Sequence, residues 1–184
     1  AYTYEREYHV PGDDPGAFLW RSAMMGAWQI DPTNTRLWTD EDRACARLAA
    51  TTYKEWIRPL LRDVKVHHVL PRPDGAHWDG MFYWNPGQRR GLLFAFRPAA
   101  PEPETVIRLK GLESRRRYRY GSQAGSAQPA LATGAGLMEQ GLRLRLPGSY
   151  SSDLVFVQDA ADAAPAGFRR PARFTLLTGH AEAT

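Results

Sequence analysis

TDEDRACARLAATTYKEWIRPLLR (residues 39–62), followed at once by DVKVHHVL (residues 63–70), holds the change of rhythm that decides this fold. Ala44, Leu48, Thr52 and Ile57, with Tyr53, Trp56 and Leu60, form one stripe at i, i+4 and i+7 to i+8 spacing, which is helical. Thr39 is a good N-cap, and Asp42 three residues on approximates a capping box. Asp40, Glu41 and Asp42 put negative charge at the positive end of the helix dipole, and Arg58 and Arg62 put positive charge at the other end. Pro59 lacks an N–H and crowds the preceding turn, so the spacing predicts a kink or restart there. The expected helix runs from Thr39 to about Arg58, with one further turn to Arg62. One such helix needs a partner layer.

From about Val64 onward the pattern is all β. VKVHHVL, WDGMFYW, GLLFAFR, TVIRLK, RRYRYG, GLRLRL, DLVFVQ and ARFTLL are the strand candidates. In GLRLRL, Leu142, Leu144 and Leu146 face one way and Arg143 and Arg145 the other, as in an antiparallel sheet with one wet face. Asn85-Pro86-Gly87-Gln88 is a strong turn between two strands. Residues 122–136 read as a small-residue loop, and residues 160–172 as an Ala/Pro-rich connector. Short strands at this spacing predict a sandwich. On the N-terminal side, residues 1–38 are irregular and aromatic. Ala17–Met25 reads as a buried strand or strand end before a turn at Gly26, and Asp31-Pro32 starts another turn.

Composition excludes several classes. The chain has 184 residues, one Cys, six Trp and a net charge of +4. A hydrophobic fraction of 43% is enough for a real core. The single Cys45 cannot form an internal disulfide. No stretch approaches the roughly 18 apolar residues of a membrane span, and AYTYEREYHV lacks the organisation of a signal peptide. The expectation is a soluble chain, cytoplasmic or secreted, with no membrane partner.

The search for chemistry yields little. His67 and His68 are adjacent and point to opposite faces of a strand. His77 and Asp79 share a face but cannot hold a metal as a pair, so neither a metal nor another cofactor is expected. No G-x-S-x-G elbow appears, and the glycines of TGAG and GSQAG lack the strand-then-helix context of a phosphate loop. Arg115, Arg116 and Arg117 with Tyr118 and Tyr120 could grip nucleic acid, but a solvated strand face with inward tyrosines explains them more simply, and no nucleic-acid partner is expected. Trp78, Phe82 and Trp84 share one parity and form a core face or an interface. The alternative is a sugar platform built from Trp78, Tyr83 or Trp84.

The order of features resembles the end of clan D glycoside hydrolases, the α-galactosidase-like families 27 and 36. There the last barrel strand leads to a Gly-containing turn, an acidic helix start, a helix with a Tyr-Lys pair, and an antiparallel sandwich. The matching pieces are WRSAMMGAWQID, LWTDEDRA and TYKEWIRPLL, then WDGMFYWNPGQRRGLLFAFRP, KGLESRRRY, GLMEQGLRL and SSDLVFVQD. The likeness runs over roughly residues 17–158.

That resemblance implies a mainly β chain, with the last strand and helix of a (β/α)8 barrel in residues 1–62 and a C-terminal antiparallel β-sandwich in residues 63–184. It implies a retaining hydrolase of α-glycosidic bonds, whose two carboxylates lie on barrel strands outside this chain. Asp13, Asp14 and Asp31 sit in neither carboxylate motif, so no catalytic residue is carried over. Trp20 and Arg21, nearest the barrel's active-site face, would contact the sugar. The implied partners are a carbohydrate substrate, reached through the barrel, and the remainder of the enzyme. The chain alone should be inactive and should expose the apolar side of the Thr39–Arg62 helix. The alternative function is a non-catalytic carbohydrate-binding sandwich.

Overall fold

The structure, a computed structural model, describes residues 15–29 and 38–162. The strand candidate ARFTLL and the residues Asp13, Asp14 and Asp31 lie outside the described residues. The elements are α1 (Pro15–Ala23), α2 (Asp40–Thr52), a π-turn (Tyr53–Ile57), α3 (Arg58–Leu60), a 3₁₀ turn (Leu61–Asp63), β1 (Lys65–His68), β2 (Asp79–Asn85), β3 (Arg90–Arg97), β4 (Glu104–Ile107), β5 (Arg117–Ser122), β6 (Ala130–Thr133), α4 (Gly134–Glu139), β7 (Leu142–Arg145) and β8 (Ser151–Asp159).

A six-stranded antiparallel sheet, in the order β1-β2-β3-β8-β5-β6, faces a two-stranded ribbon of β4 and β7. The central strands are the reason for the architecture. β3 and β8 are buried on both faces and apolar through their centres, so each face needs its own cover. On one face Phe82, Trp84, Leu93, Ala95, Val155 and Val157 pack with Ile107, Leu142 and Leu144 of the ribbon. On the other, Tyr83, Leu92, Phe94, Leu154 and Phe156 pack with Trp20, Met24, Trp56, Ile57 and Leu60 of the helices. The apolar side of the Thr39–Arg62 helix is therefore covered by the chain's own sheet, and the expectation that it lies open does not hold. Burying a large aliphatic or aromatic side chain contributes about 1.5–3 kcal/mol, so the two layers together dominate the stability.

The long helix begins as its sequence dictates. Thr39 Oγ1 accepts from the Asp42 N–H at 3.2 Å, and Asp42 Oδ2 accepts from the Thr39 N–H at 2.7 Å. Before Pro59 the helix widens into the π-turn, one of the forms that relieves a proline ring clash. Ala46 and Ala49 are buried in the first half, while Ala44 and Leu48 are only half-buried. The helix end is closed by the Asn85–Gln88 turn. Asn85 Nδ2 donates to the Leu60 carbonyl at 3.2 Å, and Gln88 Nε2 to the Pro59 carbonyl at 2.8 Å. Terminal carbonyls otherwise without partners thus bond to side chains of the β2–β3 hairpin.

Two expectations are corrected. Ala17–Met25 is not a strand: α1 spans Pro15–Ala23. Ala17, Trp20, Arg21 and Met24 are buried, a spacing of i, i+3, i+4 and i+7. Pro15 opens the helix, where its missing N–H costs nothing. Among the described residues no strand precedes β1, so the barrel strand expected in residues 17–25 is absent from that place. Residues 122–136 are not simply a loop, because they contain β6 and the start of α4.

The two Gly-Leu motifs meet each other in space. Leu109 N–H donates to the Leu137 carbonyl at 3.0 Å, Gly134 N–H to Arg116 at 2.8 Å, and Ala135 N–H to Ser114 at 2.9 Å. Gly141 follows α4 at φ +82°, the left-handed position that closes a helix, and its N–H bonds the Gly136 carbonyl at 2.9 Å. A Cβ on Gly134 would lie 2.2 Å from the Glu113 carbonyl oxygen, a backbone atom that cannot swing away. Gly134→Ala should therefore lose about 2 kcal/mol or more in urea unfolding. An unchanged midpoint would mean that the KGLESRRRY and GLMEQGLRL segments are not locked together.

Candidate functional site

Arg21 sits at the centre of a polar clamp between helices and sheet. Its guanidinium donates to the Ser152 carbonyl (2.5 Å), Ser152 Oγ (3.1 Å) and Gln123 Oε1 (3.1 and 3.3 Å). Gln123 Nε2 in turn donates to Thr52 Oγ1 at 3.0 Å, tying α1 to α2 through one amide. The loop that carries Gln123 is held by the buried carboxylate of Asp153, which accepts from the N–H groups of Ala124 (2.7 Å), Ser126 (3.0 Å) and Leu154 (2.7 Å). Trp20 is 8% exposed and meets Trp28 and Trp38 edge-on. The space beside Trp20 and Arg21 is only about 20 Å³. Both residues are occupied in holding the helices to the sheet.

The aromatic group divides by parity, as strand geometry requires. Trp78 and Trp84 face the ribbon side and Tyr83 the helical side. Their exposures are 7%, 2% and 5% respectively. A sugar platform needs an open ring face, so the platform expected at Trp78, Tyr83 and Trp84 is corrected to core packing. Trp78 Nε1 donates to the Glu102 carbonyl at 2.8 Å, and Tyr83 Oη donates to the Met25 carbonyl. In the Arg115–Arg117 run, Arg116 reaches Asp159 at 2.6 Å and Glu113 at 3.1 Å, and Tyr118 is fully buried. Arg89 adds a second bond to Asp159 at 3.1 Å.

His67 and His68 do point to opposite faces. His67 stacks near Phe82, and burial, followed by Lys110 and Lys65, pushes its pKa down. His68 lines a pocket of about 300 Å³ between α1, the β1–β2 loop and β3. Phe18, Phe96 and Tyr150 form an aromatic wall there, with Phe18 edge-on to Phe96 at 5.2 Å. Asp79 is half-buried in the same lining, and its carboxylate makes no hydrogen bond or ion pair among the described residues. Burial, followed by the nearby Asp74 charge, pushes it up to about 6. His77 does not turn to Asp79 but meets Asp74, Nδ1 to Oδ2 at 2.6 Å, which raises His77 and holds Asp74 down at about 2. Among the described residues no three His, Cys, Asp or Glu side chains converge as a metal site would require.

A family model, the glycosyl hydrolase family 36 C-terminal domain, matches residues 78–157. Over those residues the chain is similar to the C-terminal domain of that family. The match starts at Trp78, with β2, and ends inside β8, so it omits the helices that cover the sheet's second face. The galactosidase domain of α-galactosidase-sucrose kinase, AgaSK, superposes with a TM-score of 0.64 at 22% identity, over 76% of this chain and 19% of that one. The GH36 α-galactosidase AgaA from Geobacillus stearothermophilus gives 0.62 at 23% identity, with the same coverage. The α-galactosidase from Lactobacillus brevis gives 0.61 at 17% identity, over 79% of this chain and 20% of that one. The chain thus spans about a fifth of the structures it matches. No curated protein matches its sequence. Among the described residues no helix is long and apolar enough to cross a membrane.

Sequence reasoning missed the Gln123–Arg21–Thr52 clamp and the Asp79 pocket. Their members are 102 and 71 positions from Gln123 in the clamp, and no local pattern links such residues. Arg21→Met should cost about 2–4 kcal/mol in unfolding experiments, since it strands the Gln123 and Ser152 oxygens. Arg21→Lys should recover less than half, because a point cation cannot reproduce the guanidinium fork. A loss below about 0.5 kcal/mol would show that the clamp is dispensable.

Asp79 gives a pH signature of defined sign. Its folded pKa lies above the ordinary 3.8, so the native state binds the proton more tightly. The wild type should therefore gain stability relative to Asp79→Asn as pH falls from above 6 towards 3.8. At pH 8 the Asn variant should be more stable by about 1 kcal/mol, allowing for screening of a half-exposed group. The advantage should be gone by about pH 4, and a pH-independent difference would contradict the placement of Asp79.

Proposed function

We propose that this chain is the C-terminal portion of a retaining α-galactosidase-like glycoside hydrolase. In this reading the sandwich of residues 63–184 stabilises a (β/α)8 barrel to which residues 1–62 belong. The observation that carries it is the family match over residues 78–157. The coverage supports it as well, because the α-galactosidase structures it resembles are about five times longer than the matched part.

The chemistry assigned to the whole enzyme is two-step hydrolysis. One carboxylate attacks the anomeric carbon and expels the leaving group, which a second carboxylic acid protonates. That second group then removes a proton from water as the glycosyl–enzyme ester breaks. In this reading both carboxylates lie outside this chain. Asp153 is consumed by three backbone N–H groups and Asp159 by two arginines, and neither is free to act as nucleophile.

The test compares two preparations on p-nitrophenyl α-galactoside. The 184-residue chain alone should release no nitrophenol. A longer native polypeptide that contains this sequence should release it, with the α-anomer of galactose as the first product by NMR. Hydrolysis by the 184-residue chain, or an inactive longer polypeptide, would overturn the reading.

A further inference from the structure

The Asp79 pocket is unused by the proposed hydrolysis and has a chemistry of its own. A carboxylate that is half-buried and without a partner costs stability, and the cost falls when a cation or donor meets it. None of the nearby cations does so. Arg97 gives its guanidinium to the carbonyls of Ala100, Leu146, Pro147 and Pro101. Lys110 Nζ donates to the His68 carbonyl, and His77 is engaged by Asp74. Asp74 adds a second negative charge close enough to be felt at Asp79. Among the described residues, Asp79 is the one carboxylate in the lining, and His68 is the one lining side chain there that can carry positive charge.

The walls narrow the ligand further. Pro71, Pro73 and Pro98 contribute rigid surface and no N–H donors, and Phe18, Phe96 and Tyr150 contribute rings. An anion would meet like charge and few donors. A bare metal ion would find no convergent ligand set among the described residues. An organic cation gains from both features, because its charge is met by the carboxylate and its alkyl groups by the rings. A volume of about 300 Å³ is at the small end of ligand pockets and suits one ammonium or guanidinium head with a short alkyl stem.

We propose that the pocket between α1, the β1–β2 loop and β3 binds an organic cation, with the Asp79 carboxylate as its counter-ion and Phe18, Phe96 and Tyr150 as its aromatic wall. The shared chemistry is a desolvated ammonium or guanidinium head, carried either by a free small molecule or by a basic side chain of a protein. This site is independent of the glycosidase reading.

The experiment is an amide ¹H–¹⁵N titration of the 184-residue chain. The probes are choline, n-butylammonium, methylguanidinium, the neutral choline isostere 3,3-dimethylbutan-1-ol, and galactose. Choline or the side-chain analogues should move the amides of Asp79, Gly80 and Met81, with the neutral isostere binding at least tenfold more weakly. Asp79→Asn, which keeps the fold, should weaken the cations at least tenfold and leave the isostere unchanged. Phe18→Leu, which removes a ring and keeps bulk, should weaken choline several-fold. Tighter binding of choline would assign the site to a free cation, and tighter binding of butylammonium or methylguanidinium to a protein side chain. The proposal is overturned if the isostere or galactose binds as tightly as the cations, or if Asp79→Asn leaves cation binding unaltered.

Discussion

β3 and β8 have no face that tolerates water, and the rest of the structure follows from that constraint. Residues 91–96 and 152–159 are buried without interruption, so alternate side chains enter two different cores. A two-layer sandwich would cover only one of them. The second face needs helices, and the chain supplies them from α1, α2 and the π-turn. Trp56 illustrates the fit: it packs against Phe156 at 4.5 Å on one side and under the Arg90 guanidinium at 4.2 Å on the other.

Apolar burial sets which layers meet, and buried polar bonds set how they meet. Hydrophobic packing is non-directional, so it leaves the helices free to slide over the sheet. The Arg21–Gln123–Thr52 chain and the Asn85 and Gln88 bonds to the helix end remove that freedom. Arg21, Thr52 and Asn85 are buried and would be costly if left unpaired, so the registration that satisfies them together is favoured. Family recognition rests on this structural layer. The matched segments contain glycines that permit close backbone approach and carboxylates that hold loops.

Much of the fold was legible in the sequence because its signals are local. The Thr39–Asp42 capping box, the Asn85–Gln88 turn and seven of the strand candidates depend on neighbours a few residues apart. The strand assigned to Ala17–Met25 failed because a short apolar run does not distinguish a strand from a buried helix. The loop assigned to residues 122–136 hid β6 and α4, since its small residues have weak propensity and their order comes from backbone bonds to Glu113–Arg116. The sites were less legible than the fold. The shared parity of Trp78 and Trp84 favours a core face over a sugar platform, and the burial of both, and of Tyr83 on the opposite face, agrees with the core reading. The Asp79 pocket joins α1 to β2 and β3 across about 60 residues of chain, a distance over which no sequence spacing carries information.

Packing on both faces of one sheet makes the helices and the sandwich a single cooperative unit. Native-state hydrogen exchange tests it most directly, by comparing the amides of Trp56 and Ile57 with those of Leu93 and Val155. Equal protection, falling together with denaturant, is the predicted result. Helical amides that exchange about a hundredfold faster while the strands stay protected would contradict it, since the sheet would then be stable with its second face uncovered.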